Sequence, residues 1–300
     1  MAEVQVFWDP QGFTFDSLGS NKYLGNTDGD TPSVSVSIRM LSIDAPETHY
    51  PGRSRPSNQD ANLAQLAQWI REGRAPVSPE LAEYLYPRLA TGRAGSLQEH
   101  QGEQAAAVFA QMMDQRLTRP DGTRRNVFLY TADQPFDQYG RLLAYVAPAY
   151  TKEELAILSP WERATFNMLM VRAGWAAPFI IFPSIPKYRD LVMFRASAKE
   201  AYLAGRGIWA DPLMLTGYEF RMAVKLYEVT RRLVAGEVLP SSARMAWIER
   251  YCVDLTTRGI YYPENYFRVA PYNRLFVWPK DVSDAVARLN LEPGQTAEGG

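Results

Sequence analysis

Four side chains stand where they could act together on a phosphodiester: Arg39, Asp44, Glu47 and Arg141. A β-like run delivers Arg39 and breaks at Ile43-Asp44-Ala45-Pro46-Glu47, leaving two carboxylates beside a rigid proline. Arg141 closes Asp137-Gln138-Tyr139-Gly140-Arg141 and starts the apolar run Leu142–Val146. Carboxylates so placed can hold a hard cation and a water, while planar guanidinium groups meet phosphoryl oxygens. Asp44 and the Ala45 carbonyl are oxygen donors, and only two histidines occur in the chain, so calcium or magnesium suits the pattern better than zinc. The plainer readings are an Asp-x-Pro turn, a surface glutamate and two arginines in surface ion pairs.

Strands and helices must bring these residues together. Val4–Trp8, Phe13–Phe15 and the alternation Val34–Ile38 read as strands, as do Val127–Tyr130 and Leu142–Val146 around the Asp137–Arg141 connection. Residues 50–99 form an insertion with a Pro-, Gly- and Arg-rich entry and two amphipathic segments, Gln59–Glu72 and Ser78–Leu89, the second opened by a Ser-Pro cap. Helices are expected at 101–117, near 151–174 and at 188–205, with Arg119–Thr123 a turn by composition. Beyond residue 211 the spacing predicts helices at Tyr218–Ala235 and Ser241–Thr257, then short strands at Phe267–Ala270 and Arg274–Trp278. A frayed end is expected at 294–300.

At its two motifs the chain resembles the staphylococcal nuclease (thermonuclease) family. Arg39-Met-Leu-Ser-Ile-Asp-Ala-Pro-Glu47 is similar to the family's Arg-x-x-x-x-Asp-x-Pro-Glu, and Asp137–Tyr145 to its Asp-x-Tyr-Gly-Arg-x-Leu-Ala-Tyr. Gln101–Phe109, Asn167–Gly174 and Ser197–Trp209 resemble its three helices, in order. The resemblance covers residues 1–211 apart from the insertion, and 212–300 resembles nothing recognised. It implies an α+β fold, a five-stranded OB-fold barrel with packed helices, here carrying a helical insertion and a mainly helical C-terminal extension. It implies a calcium-dependent nuclease acting on DNA or RNA, with Asp44 and Ala45 at the metal, Glu47 as general base and Arg39 and Arg141 stabilising charge on the phosphoryl oxygens. Tyr139 would touch the phosphate or support its turn, and Phe182 could stack on a base in place of the family's tyrosines.

The first metal aspartate departs from the pattern. Asp28-Gly-Asp-Thr31 reproduces the family's motif and offers Asp30. Pro32–Ile38 then alternates without a turn, and as one strand the chain from Asp30 to Asp44 would span up to roughly 45 Å. Gly25–Pro32 reads better as a hairpin tip, which folds Asp16 back toward Met40 with Ser17 in place of a threonine. The register favours Asp16, and Asp30 stays open.

Composition narrows the rest. Thirty-two basic against 33 acidic residues give a net charge of −1, so binding to nucleic acid needs a local patch rather than bulk attraction. Arg53, Arg55, Arg71, Arg74, Arg88 and Arg93 in or before the insertion are candidates for such a patch, with a solvated helix face as the default. One cysteine, Cys252, excludes an internal disulfide and a multi-cysteine zinc site, and reads as packing in a helical segment. The start has neither a basic nor an apolar leader region and no run suits a bilayer, so the expectation is a cytoplasmic protein without a membrane partner, delivery within a larger assembly staying open. A second expectation is a catalytically weakened nuclease fold that binds nucleic acid or serves as a scaffold. The aromatic run Tyr261–Phe267 in the extension suggests a protein partner.

Overall fold

The computed structural model describes residues 20–294, without the side chains of 132–134. Asp16 and the first two expected strands therefore lie outside the described residues. The chain divides into two units, one of residues up to Arg39 with Tyr130–Ala144, the other of Met40–Leu129 and everything from Tyr145 on.

In the first unit, β1 (Tyr23–Asn26) and β2 (Pro32–Val34) form an antiparallel hairpin, with Tyr23 opposite Val34 and Asn26 opposite Pro32. Its tip is the Gly-, Asn- and Asp-rich stretch expected from turn chemistry, closed by the Thr27 amide donating to the Thr31 carbonyl at 3.1 Å. Pro32–Ile38 is not one strand. Residues 35–37 leave the extended pattern before β3 (Ile38–Met40) begins.

β3 ends at a corner. Ser42 has φ 62°, a left-handed conformation that costs an L-residue roughly 1–2 kcal/mol. Past it, β4 (Ser42–Asp44) joins a different sheet. The corner is held from both sides. Asn167, fully buried, donates to the Leu41 carbonyl at 2.8 Å and accepts from the Val146 amide at 2.9 Å. The Ser42 hydroxyl meets the Tyr145 hydroxyl at 2.5 Å.

Next come α1 (Asp60–Arg71), α2 (Pro79–Leu89) and α3 (Ala94–Leu117). The Ser78 hydroxyl caps α2 by accepting from the Leu81 amide, as the Ser-Pro signal foretold. α3 starts earlier than expected, inside the insertion. β5 (Val127–Phe136) and β6 (Leu142–Pro148) follow, and the order β3–β6–β5 makes a three-stranded sheet. The single helix expected near 151–174 is two, α4 (Lys152–Ile157) and α5 (Phe166–Arg172), because Pro160 lacks an amide proton and biases its predecessor to extended backbone.

β7 (Ala177–Ile181), α6 (Tyr188–Leu203), α7 (Gly217–Val234) and the short α8 (Ser241–Arg244) come next, then β8 (Tyr251–Asp254), β9 (Gly259–Tyr261), β10 (Arg274–Val277), α9 (Val282–Leu289) and β11 (Glu292–Pro293). The helix expected to reach Thr257 stops after α8. Cys252 and Val253 are instead the interior of a strand paired on both sides, by β9 and β10. A short apolar run buried on both faces reads the same for helix and strand. Phe267–Ala270 is not a strand either. Pro263 and Pro271 preset φ, and 263–268 winds into a tight turn of helix.

The second sheet has the order β11–β9–β8–β10–β7–β4. β4, which carries Asp44, is thus the edge strand of a sheet built largely from C-terminal residues, with Asp44 opposite Ala177 on β7. The described residues do not close into the expected five-stranded barrel. Among the described residues the strands sort into three sheets, none closed on itself, since the Ser42 corner sends β4 to β7. The fold is α+β, mixed helices and sheets.

The main core joins the insertion to the C-terminal segment. Leu63, Leu66, Leu81, Leu85 and Leu89 pack with Phe220, Leu226, Trp247, Tyr266 and Phe276. Each segment has an apolar face that needs a partner, and each supplies it to the other. Tyr266 and Phe267 of the aromatic run belong to this core and its edge, while Tyr262 is exposed. A second core lies around α5, α6, β7 and β10. No helix among the described residues is long and apolar enough to cross a membrane.

Candidate functional site

The expected site residues divide between the units, with Arg39 and Arg141 in the first and Asp44, Ala45 and Glu47 in the second.

In the first unit the Asp-x-Tyr-Gly-Arg motif is a self-supporting turn. One Asp137 carboxylate oxygen accepts from the Tyr139 and Arg141 amides at 2.9 and 3.0 Å, and the other accepts from Arg141 Nε at 2.8 Å. Burial pushes the Asp137 carboxyl up, but these Arg141 and Tyr139 bonds outweigh it and hold it below the usual aspartate value. Gly140, at φ 74°, makes the left-handed step that closes the turn. The turn fixes the direction of the Arg141 guanidinium, which lies 5.4 Å from the Tyr139 ring centroid. Tyr139 is 73% exposed. Asp137 is a positioning residue the motif contained in plain sight. Arg39 is half-buried on β3. Asp30 is exposed at the hairpin tip, where it accepts from the Thr31 hydroxyl at 3.0 Å.

The second unit holds the decisive arrangement. Asp44 is 1% exposed. Its two carboxylate oxygens receive one nitrogen of the Arg221 guanidinium at 3.0 and 3.2 Å, and the other terminal nitrogen of the same guanidinium donates to Glu47 Oε1. Arg221 comes from α7, far downstream in the sequence. The N-terminus of that helix also reaches the site. A Cβ on Gly217 would lie 2.6 Å from the Ala45 carbonyl oxygen and 2.7 Å from Asp44 Oδ2, so only glycine lets the helix start there. The helix's positive end thus faces the Asp44 charge. Burial works against the Arg221 charge, and Asp44 and then Glu47 outweigh it, holding the guanidinium above its ordinary value.

Around this cluster the chain is tightly placed. α3 approaches the Pro46-Glu47 backbone so closely that a Cβ on Gly102 would lie 2.9 Å from the Glu47 carbonyl oxygen. The Gln98 amide, with its oxygen toward Glu47, accepts from the Glu47 amide at 2.7 Å and donates to the Leu215 carbonyl at 2.9 Å. Gln98 therefore ties the Pro-Glu corner to the lead-in of α7.

A family model described as staphylococcal nuclease homologue matches residues 37–211. The chain belongs to that family. No curated protein matches it. The match begins at Ser37, downstream of both Asp16 and Asp30, and ends before α7, so the family's pattern includes Asp44 and Glu47 but not the arginine that joins them.

Does the family's calcium fit this centre? A hard cation takes six to eight oxygens. Among the described residues no three of His, Cys, Asp and Glu come together as a set able to hold a metal. Asp44 and Glu47 share the Arg221 guanidinium and Asp16 lies outside the described residues, so the donor set among the described residues falls short of the ion's shell. Phe182 does not present a stacking surface, because it is 4% exposed within the second core. Of the arginines around the insertion, Arg55, Arg74 and Arg93 pair with Glu99, Glu72 and Asp211. Arg71 and Arg88 lie over the rings of Tyr86 and Tyr84. His49 is exposed beside Thr48, and His100 is exposed in mid-helix.

Sequence reasoning missed Arg221. Its only signal was an arginine near the start of an amphipathic helix, a position where a solvated charge is the rule.

Proposed function

We propose that this protein is a nucleic-acid-binding member of the nuclease family whose acidic centre is kept from hydrolysis by its own Arg221. The observation that carries the reading is the Arg221 guanidinium bridging Asp44 and Glu47. An acid that accepts from an arginine in this way is a poor general base, because the pair loses its hydrogen bonds and Coulomb attraction when the carboxylate takes a proton. Arg39 and Arg141 are the residues for backbone phosphate contact, with Asp137 aiming the second. Family membership supports a nucleic-acid ligand, and the near-zero net charge makes contact depend on these local cations. The calcium-dependent nuclease that the motifs alone imply is the competing reading, with Asp44 and Ala45 at the metal.

Anisotropy titrations with labelled single- and double-stranded DNA and RNA test both readings, alongside gel assays in calcium, magnesium and chelator. Binding without cleavage is expected. Removing Arg39 and Arg141 together should flatten the dependence of log K on log salt by about 2 units, at roughly 0.9 per phosphate contact. Cleavage by the wild type that calcium supports and chelator abolishes restores the nuclease reading. Failure to bind any of the four polymers sinks the proposal.

A further inference from the structure

We propose that Arg250 is an oxyanion-binding residue whose guanidinium, stacked on Trp278, takes one phosphoryl group at the end of the second sheet. The natural source of that group, a strand phosphate, rests on the nucleic-acid reading above; the chemistry of the site does not. Arg250 and Trp278 both lie outside the stretch that matches the family.

The register of the sheet builds the site. Tyr251 of β8 lies opposite Val277 of β10 in an antiparallel ladder, and Cys252 lies opposite Phe276. One step outward on each strand, Arg250 and Trp278 become cross-strand neighbours. Alternation sends Arg250 to the face of Cys252 and Trp278 to that of Phe276, and both of these belong to the main core, as do Phe179 of β7 and Tyr218 of α7. The Arg250 guanidinium accordingly lies 3.9 Å from the Trp278 ring centroid, and 5.4 and 5.6 Å from those of Phe179 and Tyr218.

This aromatic setting leaves the donors unmet. Arg250 Nε is buried and meets no acceptor among the described residues, and no carboxylate among them pairs with the group. Enclosing a charged donor without a partner is costly, so a chain that keeps one has a use for an anion there. Stacking does not meet the need, because the N–H bonds lie in the guanidinium plane and point past the ring. Burial lowers the Arg250 guanidinium below its ordinary value; Tyr218 opposes this, Arg221 adds to it, and Asp44 opposes it more weakly. The neighbouring acids are otherwise placed. Asp44 is engaged by Arg221, and Glu249 is exposed. Arg250 itself is half-buried, so a ligand reaches it from solution. Phosphoryl oxygens match its planar fork two at a time.

The full chain is melted in sodium phosphate, sodium acetate and sodium chloride of matched ionic strength, and titrated with labelled single-stranded DNA and RNA over a range of salt. A millimolar site should raise the wild-type melting temperature by about 2–3 °C in ~20 mM phosphate over chloride. Phosphate also stabilises folded proteins by exclusion from their surface, so Arg250→Met sets the baseline and should lose most of that rise. In chloride this variant should melt no more than about 2 °C below wild type, because the charge it removes has no partner; a larger fall marks a structural tie and overturns the proposal. Its log K against log salt should be flatter by about 0.7, one single-strand phosphate. If Arg250→Met does not fold, Arg250→Lys, which keeps the charge without the planar fork, takes its place and should lose most of the phosphate rise. Failure of both to fold overturns the proposal. Loss of the rise alone assigns the site to a free phosphoryl compound, and a flatter slope alone assigns it to a strand phosphate. An Arg250-dependent rise in a protein that binds neither polymer keeps the site and sinks the nucleic-acid reading. Nucleic-acid binding with rise and slope both unchanged in the variant sinks the site and leaves that reading standing. An acetate rise equal to that in phosphate overturns the phosphoryl assignment.

Discussion

Replacing Arg274 by methionine should reveal how the insertion and the C-terminal segment are joined. Arg274 and Glu219 are 4% and 1% exposed, with Nη1 3.3 Å from Oε1. Arg274 Nε also donates to the Val269 carbonyl at 2.8 Å. Glu219 accepts from the Tyr84 hydroxyl of α2 at 2.8 Å and from the Thr216 amide at 2.9 Å, so one carboxylate links α2, α7 and β10. Removing one member of a buried pair costs about 3–5 kcal/mol. The lower half applies, because Glu219 keeps its Tyr84 and Thr216 bonds, and we expect about 3–4 kcal/mol. For a 300-residue chain unfolding in one cooperative step, roughly 0.6 kcal/mol/K of unfolding entropy turns this into a fall of about 5–6 °C.

The pH dependence makes the test sharper. Burial pushes the Glu219 carboxyl up, but Arg274, Thr216 and Tyr84 outweigh it and hold it below the ordinary glutamate value. A carboxyl depressed in the folded state contributes stability that is fully present above its unfolded value, near pH 4.5, and is lost as pH falls through the folded one. Without Arg274 the folded value rises, so the gap between wild type and Arg274→Met should be largest at neutral pH and shrink below about pH 4.5. Scanning calorimetry from pH 7 down to pH 4 reads this. The Glu219→Gln, Arg274→Met double variant should recover part of the loss, as expected for a directly coupled pair. A melting temperature within about 1 °C of wild type at pH 7 would refute the reasoning, as would a gap that grows on acidification.

Two further outcomes are expected. Asn167→Ala should cost about 2–4 kcal/mol, since the Leu41 carbonyl and the Val146 amide both lose their buried partner; calorimetry gives the loss, and hydrogen exchange at Val146 locates it. Burial pushes the Cys252 thiol up to about 12, so the folded protein should resist thiol reagents at pH 8 and take up one equivalent on denaturation, and rapid native labelling would contradict the buried strand.

Much of the chemistry was legible from local pattern. The carboxylates sit beside a proline and Arg141 follows a glycine turn, and both features depend only on residues within a few positions of each other. The helices α1, α2, α6 and α7 declare themselves by period and, for α2, by a Ser-Pro cap. Other features were lost for identifiable reasons. β8 was mistaken for helix because a short apolar run buried on both faces has no diagnostic period. The barrel was expected from the family resemblance, and nothing in Leu41-Ser42 announces the left-handed step that turns β4 toward β7; Asn167 and Tyr145 hold the corner. Phe182 was offered as a stacking ring because its position matched the family's tyrosines, and burial then took it out of reach.

By itself, then, the sequence determined that this chain carries the acids, arginines and turns of a nuclease-type centre, because those depend on backbone chemistry over short distances. Tertiary structure alone decided what those acids meet. Arg221 lies 177 positions from Asp44 and 174 from Glu47, on a helix whose docking is driven by apolar burial against the insertion. Charges that far apart in the chain become partners only when the core between them forms, and no local pattern records which core that will be.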